Sequence, residues 1–326
     1  LLTAGQAEDG SFSKSTGPAV TALCVTALLR SGASVDQPAV ARALKFLQGF
    51  VQKDGGIYQP ESLYQNYETC LAIMCLAEAN RDGRYTKIIE RAAAFVKQIQ
   101  WDETEGIDES DVAFGGAGYG KHGRPDLSNT SYLVDAIRAS GADENDEAIQ
   151  EALRFVSRCQ NHESEHNTTK WAPKNPDGGS YYTIAAGGQS QAGITAQGGL
   201  RSYGSMTYAG LKSMIFAGVG SDDSRVKAAM SWISMNYKLD TNPGLGSSGL
   251  YYYYHTFAKT LSVAKIDSIK DARGNDHDWR GELIAVLKQR QHKSGSWVNT
   301  NERWLEGDAN LVTAYALLAL SYCKAE

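Results

Sequence analysis

Two kinds of apolar pattern alternate along the chain. In the first, apolar residues recur on one face only. Val40, Ala43, Leu44 and Leu47 form such a face, as do Ile88-Ile89, Ala92-Ala93 and Val96, and Ala148-Ile149, Ala152-Leu153 and Val156. Spacings of three and four predict helices with one wet side. In the second, the apolar positions run nearly all round, at 17–29, 67–79, 207–218 and 311–320. A helix apolar on every side is buried on every side, so these predict interior helices.

The first kind leads into the second through a recurrent turn. It reads Gln6, Gly10, Phe12; then Gln52, Gly56, Tyr58; then Gln291, Gly295, Trp297. Gln100 and Gln160 close equivalent helices, with insertions before the turns at Gly115-Gly116 and Gly178-Gly179. Asn236 and the Pro243–Gly246 turn mark the remaining unit. Such self-similarity is the signature of a repeat architecture. Interior helices then open near Gly17, Tyr64, Asp126, Ser205, Tyr254 and Asp308. The expected fold is an all-α toroid over residues 1–326, a single domain with about six inner and six outer helices. The inner ring is expected over Val20–Leu29, Glu68–Ala79, Ser131–Ala139, Tyr208–Ala217, Thr256–Ala264 and Val312–Tyr322. An open superhelix is the competing arrangement. The first unit lacks an outer helix of its own, so the C-terminal residues, or segments outside this chain, are expected to cover it. The stretch at about 161–204, rich in Gly, Gln and Ser, is a long insertion, and a lid is its expected role.

Composition narrows the function classes. The net charge is -5 and no basic stripe is present, which excludes nucleic acid as an expected partner. No apolar run reaches the roughly 18 residues of a membrane span. The five cysteines are scattered through apolar helices without a CxxC, which fits buried small side chains better than a disulfide framework or a zinc ribbon. The chain starts at Leu1, so export after removal of a leader is one expectation and the compartment stays open.

The turn from Gln to an aromatic resembles the repeat of squalene and oxidosqualene cyclases and the related turns of protein prenyltransferase β subunits. That resemblance spans essentially the whole chain and implies an α/α toroid with chemistry at the N-terminal ends of the inner helices. The Gln amide is expected to bridge one helix end and the free N–H groups of the next. The cyclases protonate an alkene with the middle Asp of an Asp-x-Asp-Asp-Thr-Ala motif. Asp126-Leu127-Ser128-Asn129-Thr130-Ser131 is similar, but Ser and Asn stand where the second and third Asp belong. Protein prenyltransferases hold zinc with Asp, Cys and His. Tyr254-His255-Thr256 resembles the His segment, while Ser205 and Thr207 stand at the positions of the Asp and Cys. Zinc catalysis needs three protein ligands, so no metal and no other cofactor is expected.

The candidate residues follow from these positions. His255, Asp308 and Asp126 are candidate catalytic groups, with His255 and Asp308 as an acid–base pair. His255 can equally be a hydrogen-bonded histidine among tyrosines, and both aspartates can be ordinary helix N-caps. Tyr67, Asn129, Tyr132, Tyr208, Tyr254 and Trp304 are candidate ligand contacts, since ring closure would bring the inner-helix starts to one mouth. The Lys121–Arg124 run is a loop charge cluster or an anion contact. Two functions are consistent with this: a cavity for an apolar, isoprenoid-like ligand, with or without transferase or cyclase chemistry, and a non-catalytic binding or protein-interaction toroid.

Overall fold

The computed structural model describes residues 2–121 and 123–324. Among the described residues eleven α-helices carry the fold. Six are interior: α1 (Pro18–Arg30), α3 (Gln65–Ala79), α5 (Leu127–Ala139), α7 (Gly204–Phe216), α9 (Leu250–Val263) and α11 (Ala309–Ser321). Five are exterior: α2 (Pro38–Gln48), α4 (Thr86–Gln98), α6 (Glu147–Arg158), α8 (Ser224–Asn236) and α10 (Trp279–Arg290). A two-residue hairpin, β1 (Ile269–Lys270) and β2 (Asp276–His277), precedes α10.

Each interior helix packs on the next, and α11 returns to pack on α1, so the ring closes and the open superhelix is excluded. Closure uses specific contacts. Asn310 Nδ2 donates to Ser13 Oγ at 3.1 Å, and Arg30 bonds the Tyr322 hydroxyl. Five outer helices stand among the described residues, in line with a first unit that lacks an outer helix of its own. The short 3₁₀ turn Leu2–Gly5 packs on α11 beside the first unit.

Layer position follows residue type. Eleven of the thirteen residues of α1 are buried, whereas α2 buries only Val40, Ala43, Leu44 and Leu47, half-buries Ala39 and Phe46, and exposes its other five residues. Pro18 opens α1 where no N–H is needed. Asp146, Asp223 and Asp278 cap α6, α8 and α10 with side-chain bonds to the first turn.

The repeated turn holds the two layers together. Gln6 Nε2 donates to Gly10 O at 3.0 Å and to Ala39 O in the first turn of α2 at 2.7 Å. Gln100 does the same with Gly115 O and Ala148 O, and Gln160 with Gly178 O and Arg225 O. The Gln therefore satisfies carbonyls, not the free N–H groups expected from sequence. Its NH₂ is the group facing the neighbouring helix, and the Oε1 atoms of Gln100 and Gln160 are left without partners. Gln52 departs from the pattern and bonds Phe50 O and Tyr58 O. At Gly115 the φ of +79° and the α6 backbone leave no room for a side chain: a Cβ would lie 1.9 Å from Glu151 O.

A second device had no expected role. Phe12 N donates to Thr21 Oγ1, Ile57 N to Thr69, Ala117 N to Thr130, Ser180 N to Thr207 and Trp297 N to Thr313, at 2.9–3.2 Å. One threonine, early in each of five interior helices, thus satisfies a buried N–H of the turn before it.

Candidate functional site at the mouth of the ring

The N-terminal ends of the interior helices enclose a cavity of about 640 Å³. All six helices contribute from their first two turns: Val20, Glu68, Ser128, Met206, Tyr252 and Leu311 each line it. Helix direction explains this, since alternate down-and-up packing sends every interior helix start to the same end of the ring.

Four tyrosines from four interior helices form a continuous aromatic wall. Tyr67 (α3) meets Tyr132 (α5) edge-on at 5.3 Å between ring centres. Tyr132 lies 6.2 Å from Tyr252 (α9), and Tyr252 lies 6.0 Å from Tyr315 (α11). The Tyr67 and Tyr315 hydroxyls approach to 3.5 Å and complete the circuit. Ser128 Oγ bonds the Tyr252 hydroxyl at 2.8 Å. Burial pushes all four phenols above their usual pKa, so they are neutral hydrogen-bonding groups.

The rim is apolar and strained. Trp304 is 42 % exposed, and Leu63, Tyr64 and Leu305 are exposed beside it. Trp304 and Leu305 both hold left-handed backbone, with φ of 57° and 64°, as does Glu61 with 63°. Consecutive non-glycine residues in this region are costly, and such strain collects at binding and catalytic sites.

Two buried carboxyls line the same cavity. Glu68 accepts Gln59 N and Ser62 Oγ, each at 2.7 Å. Glu306 accepts Tyr252 N at 2.8 Å and Asn299 Nδ2 at 2.5 Å. Burial pushes the Glu68 carboxyl up and that of Glu306 up to about 7, against the hydrogen bonds that favour ionisation. Neither was singled out in the sequence. A Glu in the loop before a helix carries no periodic signal, and Glu68 reads as an ordinary first-turn acid.

Of the candidate residues, Tyr67, Tyr132 and Trp304 line this cavity. The others lie elsewhere. Asp126 caps α5, accepting Asn129 N at 2.9 Å and Asn129 Nδ2 at 2.7 Å; burial pushes its carboxyl up to about 6. Asp308 caps α11 through Asn310 N and Leu311 N. Tyr254 donates to Leu239 O at 2.6 Å, and Tyr208 is buried against Tyr253 and Phe257. The expected His255–Asp308 pair does not form. His255 sits in the second turn of α9, stacked on Tyr315 at 5.6 Å with Nδ1 unpartnered, while Asp308 is spent on its own helix start.

Beyond the tyrosine wall, His255 joins a buried ionic group. Asp135 Oδ2 pairs with Lys212 Nζ at 2.5 Å and Lys259 Nζ at 2.7 Å. Burial and then the two lysine charges push the His255 pKa down, so the ring is neutral at pH 7. Among the described residues no cluster of His, Cys, Asp and Glu could hold a metal. All five cysteines are buried and unpaired.

The basic run near the mouth serves aromatic faces. Lys121 lies over Phe95 at 5.7 Å, and Arg124 lies over Tyr182 at 5.8 Å and bonds Gln189; His122 is outside the described residues. The segment at 161–204 is tied down by buried asparagines. Asn161 Nδ2 donates to Leu200 O at 2.7 Å and Asn167 Nδ2 to Gln160 O at 2.7 Å. Tyr182, Gln191 and Tyr203 carry it into the cavity wall.

No helix among the described residues is long and apolar enough to cross a membrane. The family model of the squalene-hopene cyclase C-terminal domain matches residues 7–179, just over half of the 326-residue chain. No curated protein matches the chain.

Proposed function

This chain belongs to the squalene-hopene cyclase C-terminal domain family, and we propose that its mouth cavity binds a largely apolar, isoprenoid-like molecule with one hydrogen-bonding end. The closed wall of Tyr67, Tyr132, Tyr252 and Tyr315 carries this reading. Aromatic faces supply apolar area at low conformational cost, and about 640 Å³ suits a molecule of a few tens of heavy atoms. The exposed rim of Leu63, Tyr64, Trp304 and Leu305 would receive the ligand from an apolar phase. The 161–204 segment would act as a fixed lid through Tyr182 and Tyr203.

The family's alkene protonation is not part of this proposal. Ser128 stands at the position resembling the proton donor; it lines the cavity, and its hydroxyl is far too weak an acid for that step. The motif is therefore degenerate in this reading. A second reading, acid–base catalysis on the bound molecule, is favoured by one observation: Glu306 lines the cavity with its pKa pushed up to about 7, where a carboxyl can both give and take a proton.

Farnesol titrated into the protein, followed by Trp emission with Trp304→Phe as the control, tests the proposal. Saturable binding that weakens at least ~10-fold in Tyr132→Ala and in Tyr252→Ala is expected, from loss of a buried aromatic contact. Absence of any saturable response, with no apolar molecule in a solvent extract of the purified protein, would overturn it.

A further inference from the structure

We propose that the polar end recognised in this cavity is an organic ammonium ion, so that the natural ligand is a bulky or long-chain amine. The inference rests on the cavity being an apolar-ligand site and adds the charge of what it selects.

The first observation is the sign of the wall. Among the described residues the lining includes Glu61, Glu68 and Glu306 but no Lys, Arg or His. Glu68 is 4 % exposed and Glu306 is 1 % exposed. Among the described residues neither forms an ion pair; both accept only from amides and a hydroxyl. A buried carboxylate without a counter-ion is expensive, and a cation in the cavity is the missing partner. The upward pKa of both groups is the signature of that deficit.

The second observation is the aromatic enclosure. The negative faces of tyrosine and tryptophan rings attract quaternary or protonated amines, more strongly where water is excluded. Tyr67, Tyr132, Tyr252 and Tyr315 surround the cavity, with Trp304 at its rim. No anion gains from such faces.

Three sources of positive potential oppose this. The interior helix starts carry partial positive charge. Those of α5 and α11 are already capped by Asp126 and Asp308, and Glu306 takes the Tyr252 N–H at the start of α9. Arg124 and Arg303 are exposed outside the lining, engaged with Gln189 and Gln191 and stacked on Tyr182 and Trp304. Lys212 and Lys259 lie beyond Tyr132 and Tyr252 and share Asp135. Lys259 is seven residues along α9 from Tyr252, the residue that Glu306 bonds, which at 1.5 Å per residue is about 10 Å. The ammonium group therefore belongs near Glu306 and Glu68, with the apolar part against the tyrosines.

Three amphiphiles of equal chain length separate the possibilities: dodecyltrimethylammonium, dodecanol and dodecyl phosphate, each below its micelle concentration, titrated calorimetrically into the whole chain. The ammonium is expected to bind at least ~10-fold tighter than the alcohol, from cation–π and carboxylate contacts, and the phosphate weakest. Glu68→Gln and Glu306→Gln, singly or together and checked for folding by circular dichroism, should remove that preference while dodecanol still binds. Equal binding of ammonium and alcohol, or tighter binding of phosphate, overturns the ammonium assignment and leaves the apolar site standing. If none of the three binds, the apolar site itself falls, and this assignment with it.

Discussion

Lys212 Nζ on α7 lies 2.5 Å from Asp135 Oδ2 on α5, inside the ring, and that same oxygen also holds Lys259 of α9. One carboxylate therefore ties three interior helices together. Burial pushes the Lys212 pKa down to about 8, against the Asp135 charge that raises it. Asp135→Ala leaves two buried ammonium groups without a counter-ion, and a loss of about 3–5 kcal/mol is expected in urea unfolding. Replacing all three by apolar residues of similar size should restore most of it. An Asp135→Ala protein as stable as the parent would show that the lysines are hydrated.

Gly115 and Gly141 both have positive φ, 79° and 103°, but only Gly115 faces a backbone carbonyl. Gly141→Ala is expected to lose about 1–2 kcal/mol, the cost of the left-handed conformation alone. Gly115→Ala adds a clash with Glu151 O that neither helix can relieve, so its thermal midpoint should fall well below that of Gly141→Ala. Equal midpoints would mean that the turn can move off α6.

Thr207 Oγ1 accepts Ser180 N at 3.0 Å and donates to Tyr203 O at 3.0 Å. Valine has nearly the same shape but leaves the buried N–H without a partner. Thr207→Val should cost about 1–3 kcal/mol, and Thr207→Ser much less. If valine and serine are equally tolerated, the threonine is a packing residue only.

The same bond bears on zinc. Thr207 is occupied with the preceding turn, and His255 faces two lysines. Protein stripped of metal and reloaded with zinc is expected to retain far less than one ion per chain after gel filtration. Stoichiometric zinc lost on His255→Ala would show that the ligands come from elsewhere.

Glu306 makes stability depend on pH in a defined direction. Burial raises its folded pKa from 4.5 to about 7, so between these values the folded chain holds a proton that the unfolded chain has released. Stability from this group is full below about pH 4.5 and falls as pH rises toward 7, by about 3 kcal/mol at 1.36 kcal/mol per pH unit. Glu306→Gln should lack that slope, so the parent-minus-variant difference in unfolding free energy should shrink from pH 5 to pH 8. A carboxyl carbon resonance of Glu306 titrating near 4.5 would refute the shift.

The helical layers were legible because burial leaves a trace in every residue of a helix. Continuous apolar runs at 17–29 and 311–320 could only be interior, and the faces of 40–47 and 148–156 could only be exterior. The repeated Gln, Gly and aromatic positions fixed where one layer gives way to the other. The chain alone thus determined an all-helical, two-layer fold and where its interior helices start, while closure into a ring was decided by the packing of α11 on α1. The tertiary structure decided which side chains at that end share a space. Tyr67, Tyr132 and Trp304 reach the cavity, whereas Tyr254 and Tyr208, as aromatic and as close to a helix start, turn to Leu239 and Phe257. A helix rotates by 100° per residue, so neighbours such as Tyr252 and Tyr254 point to different walls, and which wall is the cavity depends on how adjacent helices are turned. Glu306 belongs to the site for the same reason: its loop lies across the start of α9, a contact between residues 54 apart that no local pattern records.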